Sequence, residues 1–407
     1  MKIIKRETYL KQLIDVKDIP DIKVITGIRR AGKSKLMDMY RDYLAKENSN
    51  NIVHINLNLI EFSYLTDSNN LYQYIVSKYN KNKSNYLLID EIQMCIGFEK
   101  IITSLYEEQK FDIYITGSNA FLLSSDLATL FRGRVFEIKV FPFSFREFMN
   151  YYDLKDVDAS FDLYFKNGGM AGSYLYRNET DSIKYIEEIV KTTIIRDIVE
   201  KYKIENEDLL KMIYEFLMDN IGSQTSIRNI ANKLTSCSYV ANDKTCGTYI
   251  EYLCRSFLFY SFQRFDIKGN KYLESDKKYY LSDLSFRRAI LGNRYTDIGH
   301  LYENLVGIEL LRRGYEVYVG KMYQKEIDFV ALKYGQKIYI QVSYDITNED
   351  TFNREVMPLL SIKDAYPKVI IARTKSEIYD YEGIKIIDIA KWLSTDMWFK
   401  LLLINEF

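Results

Sequence analysis

Residues 22–38, IKVITGIRRAGKSKLMD, constrain this chain more than any other stretch. Ile22, Val24 and Ile25 suit a short buried strand, and Leu36, Met37, Met39 and Tyr40 carry the period of a helix. Between them Gly27-Ile28-Arg29-Arg30-Ala31-Gly32-Lys33-Ser34 fits G-x-x-x-x-G-K-[ST]. That strand–loop–helix setting separates a phosphate-binding loop from a chance match. The glycines let the backbone curl until successive N–H groups point inward at phosphate oxygens, and the helix N-terminus adds positive potential. Lys33 is then placed for the β- and γ-phosphates of ATP, and Ser34 for Mg2+.

A second signature lies downstream in residues 85–93, NYLLIDEIQ. A strand over 86–89 delivers Asp90 and Glu91 at its C-terminal end, where Asp90 can hold Mg2+ and Glu91 can polarise a water. Residues 111–120, FDIYITGSNA, read as a further buried strand. Ser118 or Asn119 at its end would stand between the Asp90-Glu91 strand and the P-loop and bond the γ-phosphate or the water. The alternative role for either residue is capping a helix. In residues 130–134, LFRGR, Arg132 and Arg134 are candidates to neutralise charge on the transferring phosphoryl group, in trans if the protein is a homo-oligomer. Surface salt bridging is the competing role for both.

At 407 residues the chain exceeds one average core, so about two to four domains are expected. Its 56 basic and 56 acidic residues cancel, so no global field draws it to nucleic acid or membrane. The N-terminus MKIIKRETYLKQ lacks an apolar signal-peptide core, and no apolar run reaches about 18 residues, so no membrane span is expected. Cys95, Cys237, Cys246 and Cys254 lack C-x-x-C spacing, and the two histidines, His54 and His300, lie far from them in sequence. That pattern suits reduced thiols in a cytoplasmic protein better than a zinc site.

Taken in order, G-I-R-R-A-G-K-S, L-L-I-D-E-I-Q, I-T-G-S-N, G-R and F-P-F-S-F-R-E-F resemble one family. They are similar to the prokaryotic AAA-type ATPases, near the AAA+ and STAND groups, that carry a C-terminal domain of unknown function. The resemblance implies a five-stranded parallel sheet with the Asp90 and Ser118 strands flanking the P-loop strand, and ATP with Mg2+ as ligands. It carries over Lys33 and Ser34 as phosphate and metal ligands, Asp90 as the metal ligand, Glu91 for the water, and Ser118 or Asn119 for the γ-phosphate. It leaves the arginine open.

The expected fold class is α/β: a P-loop NTPase parallel sheet over residues 1–143, a helical lid over 144–207, a winged-helix-like domain over 208–290 and an α/β nuclease-like domain over 291–407. Residues 1–20 are expected to form a short helix leading into the first strand, either plain packing or close to the adenine. Within the lid, residues 192–202 (TTIIRDIVEKY) are amphipathic; Arg196 is placed either as a second sensor or in a pair with Asp197 or Glu200. Three short helices and a hairpin make the winged-helix pattern, whose last helix turns Lys244, Thr248, Tyr252 and Arg255 outward, toward duplex DNA if it enters a groove. Glu251 beside them would repel phosphate. In the last domain, Glu303 on a helix and Asp328 on a strand resemble the PD-(D/E)XK nuclease layout. Gln341-Val342-Ser343 stands where E-x-K belongs, and Lys337 lies about 20 Å from Ser343 at roughly 3.3 Å per residue. This domain is therefore expected to be inactive. Two functions are open: an ATP-driven conformational change acting on or near duplex DNA through 208–290 and 291–407, or a nucleotide-switched regulator that binds a protein partner.

Overall fold

The computed structural model describes residues 4–117, 131, 133–236, 241–292, 297–323 and 325–395. The chain forms two compact units. The first comprises residues 1–142 with 195–202 and 255–257; the second comprises 143–194, 203–254 and 258–407.

The first unit is built on β1 (Ile22–Thr26), β2 (Asn50–Asn56), β3 (Ser84–Asp90), β4 (Asp112–Thr116) and β5 (Val135–Lys139). The five are parallel, in the order β2-β3-β4-β1-β5. β1 is buried at every position and β3 at all but its first. That is what apolar runs without alternation produce when helices cover both faces of a sheet. The helices are α1 (Glu7–Asp15), α2 (Lys33–Leu44), α3 (Ser68–Ser77) and α4 (Phe98–Glu108). Val24, Ile55, Leu87, Ile89, Ile102 and Ile115 lie in one continuous core. The expectation that the Asp90 strand borders the P-loop strand is corrected: β4 intervenes, and β1 is flanked by β4 and β5. Strand order depends on which way each crossover turns, and no local pattern carries that.

The second unit holds β6 (Phe259–Asp266), β7 (Lys271–Leu281), β8 (Glu316–Met322), β9 (Lys325–Lys333), β10 (Gln336–Ser343), β11 (Lys368–Ala372), β12 (Tyr379–Tyr381) and β13 (Ile384–Asp388). They form one eight-stranded sheet, β12-β13-β11-β10-β9-β8-β6-β7. The hairpin expected to close the winged-helix segment is therefore part of the C-terminal sheet, with β6 parallel to β8, and the expected boundary at residue 290 falls inside that sheet. Phe259, Phe262 and Phe265 on β6 are all buried, and Phe265 packs in one core with Met322, Ile327, Val330 and Tyr339. A hairpin with that much apolar surface is stabilised by joining a larger sheet rather than standing free as a wing.

Helices Glu207–Asp219, Ile227–Ser236 and Asp243–Arg255 lie where three helices are expected, and Thr225 makes an isolated antiparallel bridge to Lys277 of β7. Upstream, helix Glu179–Ile194 runs into a π-helical turn, Ile195–Glu200, so the amphipathic stretch 192–202 is not one regular helix. No helix among the described residues is long and apolar enough to cross a membrane.

Candidate active site

The loop between β1 and α2 is shaped by three positive-φ residues: Gly27 at +138°, Arg30 at +67° and Gly32 at +97°. A Cβ on Gly27 would sit 2.0 Å from the Val140 carbonyl oxygen, so only glycine lets the loop pass beside the backbone just after β5. Gly32 is the residue before the first turn of α2, which puts Lys33 and Ser34 at the positive end of that helix. The Lys33 ammonium, 6% exposed, donates to the carbonyls of Gly27 at 2.8 Å and Ile28 at 3.3 Å. Burial pulls its pKa down, against the raising pull of the Glu91, Asp197 and Asp90 carboxylates. Arg6 braces the loop from outside the motif: one guanidinium nitrogen donates to Ala31 O at 2.7 Å and another to Phe141 O at 2.9 Å. The N-terminal segment thus supports the loop through Arg6, while Tyr9, Leu10 and Leu13 of α1 are buried.

Asp90 ends β3 and is 1% exposed. Its Oδ1 accepts a hydrogen bond from the Thr116 hydroxyl at the end of β4, and the Glu91 backbone N–H donates to that same hydroxyl at 3.2 Å. One buried oxygen thereby fixes both members of the acidic pair. Glu91 has φ +58°, a left-handed conformation that costs a non-glycine residue of order 1 kcal/mol and is found concentrated at functional sites. Its Oε2 accepts from the Gln93 side-chain amide.

Of the other residues singled out from sequence, Ser118, Asn119 and Arg132 lie outside the described residues. Arg134 is engaged with α4: its guanidinium pairs with Glu107 and lies 4.9 Å over the Tyr106 ring. Arg196 is exposed, and Asp197 does not take it as a partner; Asp197 pairs with Arg29 of the P-loop at 3.0 Å. His54 is half-buried on β2, with Nδ1 3.4 Å from Arg41.

A family model described as an AAA domain matches residues 20–149, and one described as a domain of unknown function (DUF8612) matches residues 158–297. An uncharacterized protein of Haemophilus influenzae is 39% identical over 398 residues, 96% of this chain and 98% of its own length. The chain belongs to the AAA-type P-loop ATPases. The uncharacterized protein MJ1544 of Methanocaldococcus jannaschii is 28% identical over 410 residues, 96% of this chain and 89% of that protein. Among solved structures, the Walker-type ATPase PABY2304 of Pyrococcus abyssi is similar at 14% identity and a TM-score of 0.46, over 70% of this chain and 95% of that one. AMPPCP-bound DnaA from Aquifex aeolicus is similar at 16% identity and a TM-score of 0.32, over 62% and 89%.

The second unit has a cleft of about 920 Å³, lined among others by Glu303, Glu326, Asp328, Gln341, Asp350 and Glu355. Glu303, Asp328 and Gln341, singled out from sequence, do converge: Gln341 Oε1 accepts from the Asp328 N–H at 3.3 Å, and Glu355 Oε2 accepts from the Gln341 amide at 2.8 Å. The cation that sequence could not find near Gln341-Val342-Ser343 comes from β7. Lys278 Nζ lies 3.1 Å from Glu303, 2.8 Å from Glu326 and 3.9 Å from Asp328. Burial opposes the Lys278 charge, but Glu303, Asp328 and Glu326 outweigh it and raise its pKa. Burial also raises the Asp328 carboxyl, and the Glu303 charge adds to that. Lys337 is elsewhere, 3.4 Å from Asn270 Oδ1 and over the Phe265 ring.

Sequence reasoning missed Thr116, Arg6, Asp197 and Lys278. Thr116 sits inside the quoted I-T-G-S-N run and is a polar residue directly after the buried Ile113-Tyr114-Ile115, so it carried a signal. The other three become visible only through contacts distant in sequence.

Proposed function

We propose that this protein hydrolyses ATP, water attacking the γ-phosphate at the P-loop. The observation that carries this reading is the Thr116 hydroxyl holding Asp90 and Glu91 together at the C-terminal ends of β3 and β4, beside a loop that only glycine can form at Gly27. The oxygen-only donor set of Asp90 and Ser34 suits Mg2+, which when bound neutralises phosphate charge. The Gly27–Ser34 loop binds the phosphates, and Lys33 supplies a nearby positive charge. Glu91 orients and polarises the attacking water, with one carboxylate oxygen held by the Gln93 side-chain amide. Lys33→Ala is expected to abolish ATP binding in titration calorimetry. Glu91→Gln is expected to retain binding and lose turnover by about 100-fold or more; full turnover would remove Glu91 from this role.

We further propose that hydrolysis drives a conformational change acting on or near duplex DNA, with Lys244, Thr248 and Tyr252 of helix Asp243–Arg255 as the contact face. Lys244 is exposed and Thr248 and Tyr252 are half-buried, while Tyr249, Ile250 and Leu253 are buried, as that orientation requires. A second reading, a nucleotide-switched regulator that binds protein, is favoured by the acidic lining of the C-terminal cleft, which repels phosphate. Gln341, a neutral side chain where the nuclease layout has a carboxylate, supports a nuclease-like domain without nuclease activity.

A further inference from the structure

The P-loop carries a second cation besides Lys33 whose placement depends on a residue far along the chain. Arg29 Nη2 donates to Asp197 Oδ1 at 3.0 Å, across 168 residues of sequence. The Asp197 side chain is 2% exposed and that of Arg29 is 24% exposed, so the carboxylate is buried and the guanidinium bridges from it toward solvent. Asp197 lies in the π-helical turn Ile195–Glu200, whose wide winding leaves Ile195 and Arg196 exposed while Asp197 and Ile198 are buried. π-Turns are rare and concentrate at functional sites.

The pair is not closed on itself. Asp197 Oδ2 and Arg29 Nε are buried without a hydrogen-bond partner among the described residues. A buried carboxylate with one oxygen unsatisfied costs more than a solvated surface pair and adds little net stability, so stability alone does not explain it. Both charges reach the phosphate site: the Lys33 ammonium feels Asp197 as a raising influence and Arg29 as a lowering one. A guanidinium has five N–H donors in a rigid fork, so one bond to Asp197 aims the plane and leaves others for phosphate oxygens.

We propose that Arg29 is a second phosphate-contacting cation of the ATP site, and that Asp197 is the positioning residue that aims it. The proposal rests on the ATPase reading above and adds a side-chain role to a loop position whose backbone alone the motif describes. It also gives residues 195–202 a direct stake in nucleotide binding, because any ligand that moves Arg29 acts on Asp197.

The test uses the full-length protein, titration calorimetry with ATP and magnesium, steady-state turnover and thermal melting. Arg29→Gln is expected to raise the Kd for ATP about tenfold or more, the size expected for a lost charge-assisted bond, and to lower the melting temperature while staying folded at the assay temperature, because it leaves the buried Asp197 carboxylate without its ion pair. Arg29→Lys is expected to recover part of that loss. Asp197→Asn is expected to weaken ATP binding several-fold, and the double variant to bind no worse than Arg29→Gln alone, since Asp197 acts through Arg29. Wild-type affinity and turnover in Arg29→Gln would overturn the proposal. So would tighter ATP binding by Asp197→Asn, which would mean the carboxylate holds Arg29 away from phosphate, and so would losses that simply add. Should Asp197→Asn fail to fold, the partly exposed Arg29 carries the test alone. Binding by wild type and its loss in Lys33→Ala establish the ATP site independently of Arg29; a wild type without ATP affinity overturns both readings.

Discussion

Thr116 shows how much one hydroxyl can do when burial removes water as an alternative partner. It donates to Asp90 and accepts from the Glu91 N–H at a position that is 0% exposed. Replacing it with valine keeps the volume but leaves a buried carboxylate oxygen and a backbone N–H unsatisfied, at a cost of about 1–3 kcal/mol each. Thr116→Val is therefore expected to lower stability by about 2–4 kcal/mol in chemical denaturation and to reduce ATP turnover about tenfold or more. Thr116→Ser should restore most of both, because the hydroxyl rather than the methyl carries the effect. A valine variant with wild-type stability would show that water replaces the hydroxyl at this depth.

At the level of elements, the chain stops and restarts helices with small, specific devices. Ser144 and Glu147 form a reciprocal capping box that opens helix Phe145–Tyr152. The Gly168-Gly169 segment after helix Val157–Asn167 has a specific use in the structure. The Gly169 N–H donates to Asp283 Oδ2 at 2.5 Å, while Asp283 Oδ1 accepts from the Ser285 N–H at 2.9 Å and caps helix Leu284–Leu291. A Cβ on Gly169 would fall 2.2 Å from the Phe143 carbonyl oxygen and 3.0 Å from Asp283, and the nearer obstacle is backbone that cannot rotate away. Gly169→Ala is expected to destabilise the second unit by about 3 kcal/mol or more, in the range that marks backbone clashes, measured by thermal unfolding. Gly97→Ala is the control: a Cβ there meets nothing within 4 Å, leaving only the cost of its positive φ.

For the whole molecule, zero formal charge sets the terms of any contact with DNA. Without a net field, binding must rest on a few local cations such as Lys244, so a shallow salt dependence is expected, with log K against log salt falling by about 2 to 4 per decade. Lys244→Glu is expected to lower that slope by about 1 and weaken binding to unrelated duplexes alike. Duplex DNA that neither binds nor alters ATP turnover would favour the protein-partner reading instead. The architecture itself is less modular than a run of consecutive domains. Residues 195–202 and 255–257 belong with the first unit although the chain on both sides of each belongs to the second. The β6–β7 hairpin likewise completes a sheet whose other strands begin at residue 316.

The sequence by itself determined the phosphate loop, the acidic pair, the parallel α/β core and the succession of helices in the middle of the chain. Each of these is written in contiguous residues: glycines where φ must be positive, apolar runs where both faces are covered, a carboxylate pair where a strand ends. Tertiary structure alone decided the order of the strands, the partners of the site residues and the fate of the hairpin. The Thr116–Asp90 bond spans 26 residues, Lys278–Glu303 spans 25 and Arg29–Asp197 spans 168. Contacts of this kind depend on how crossovers turn and which sheet edge a strand finds. Neither is set by the local backbone preferences that a sequence pattern records.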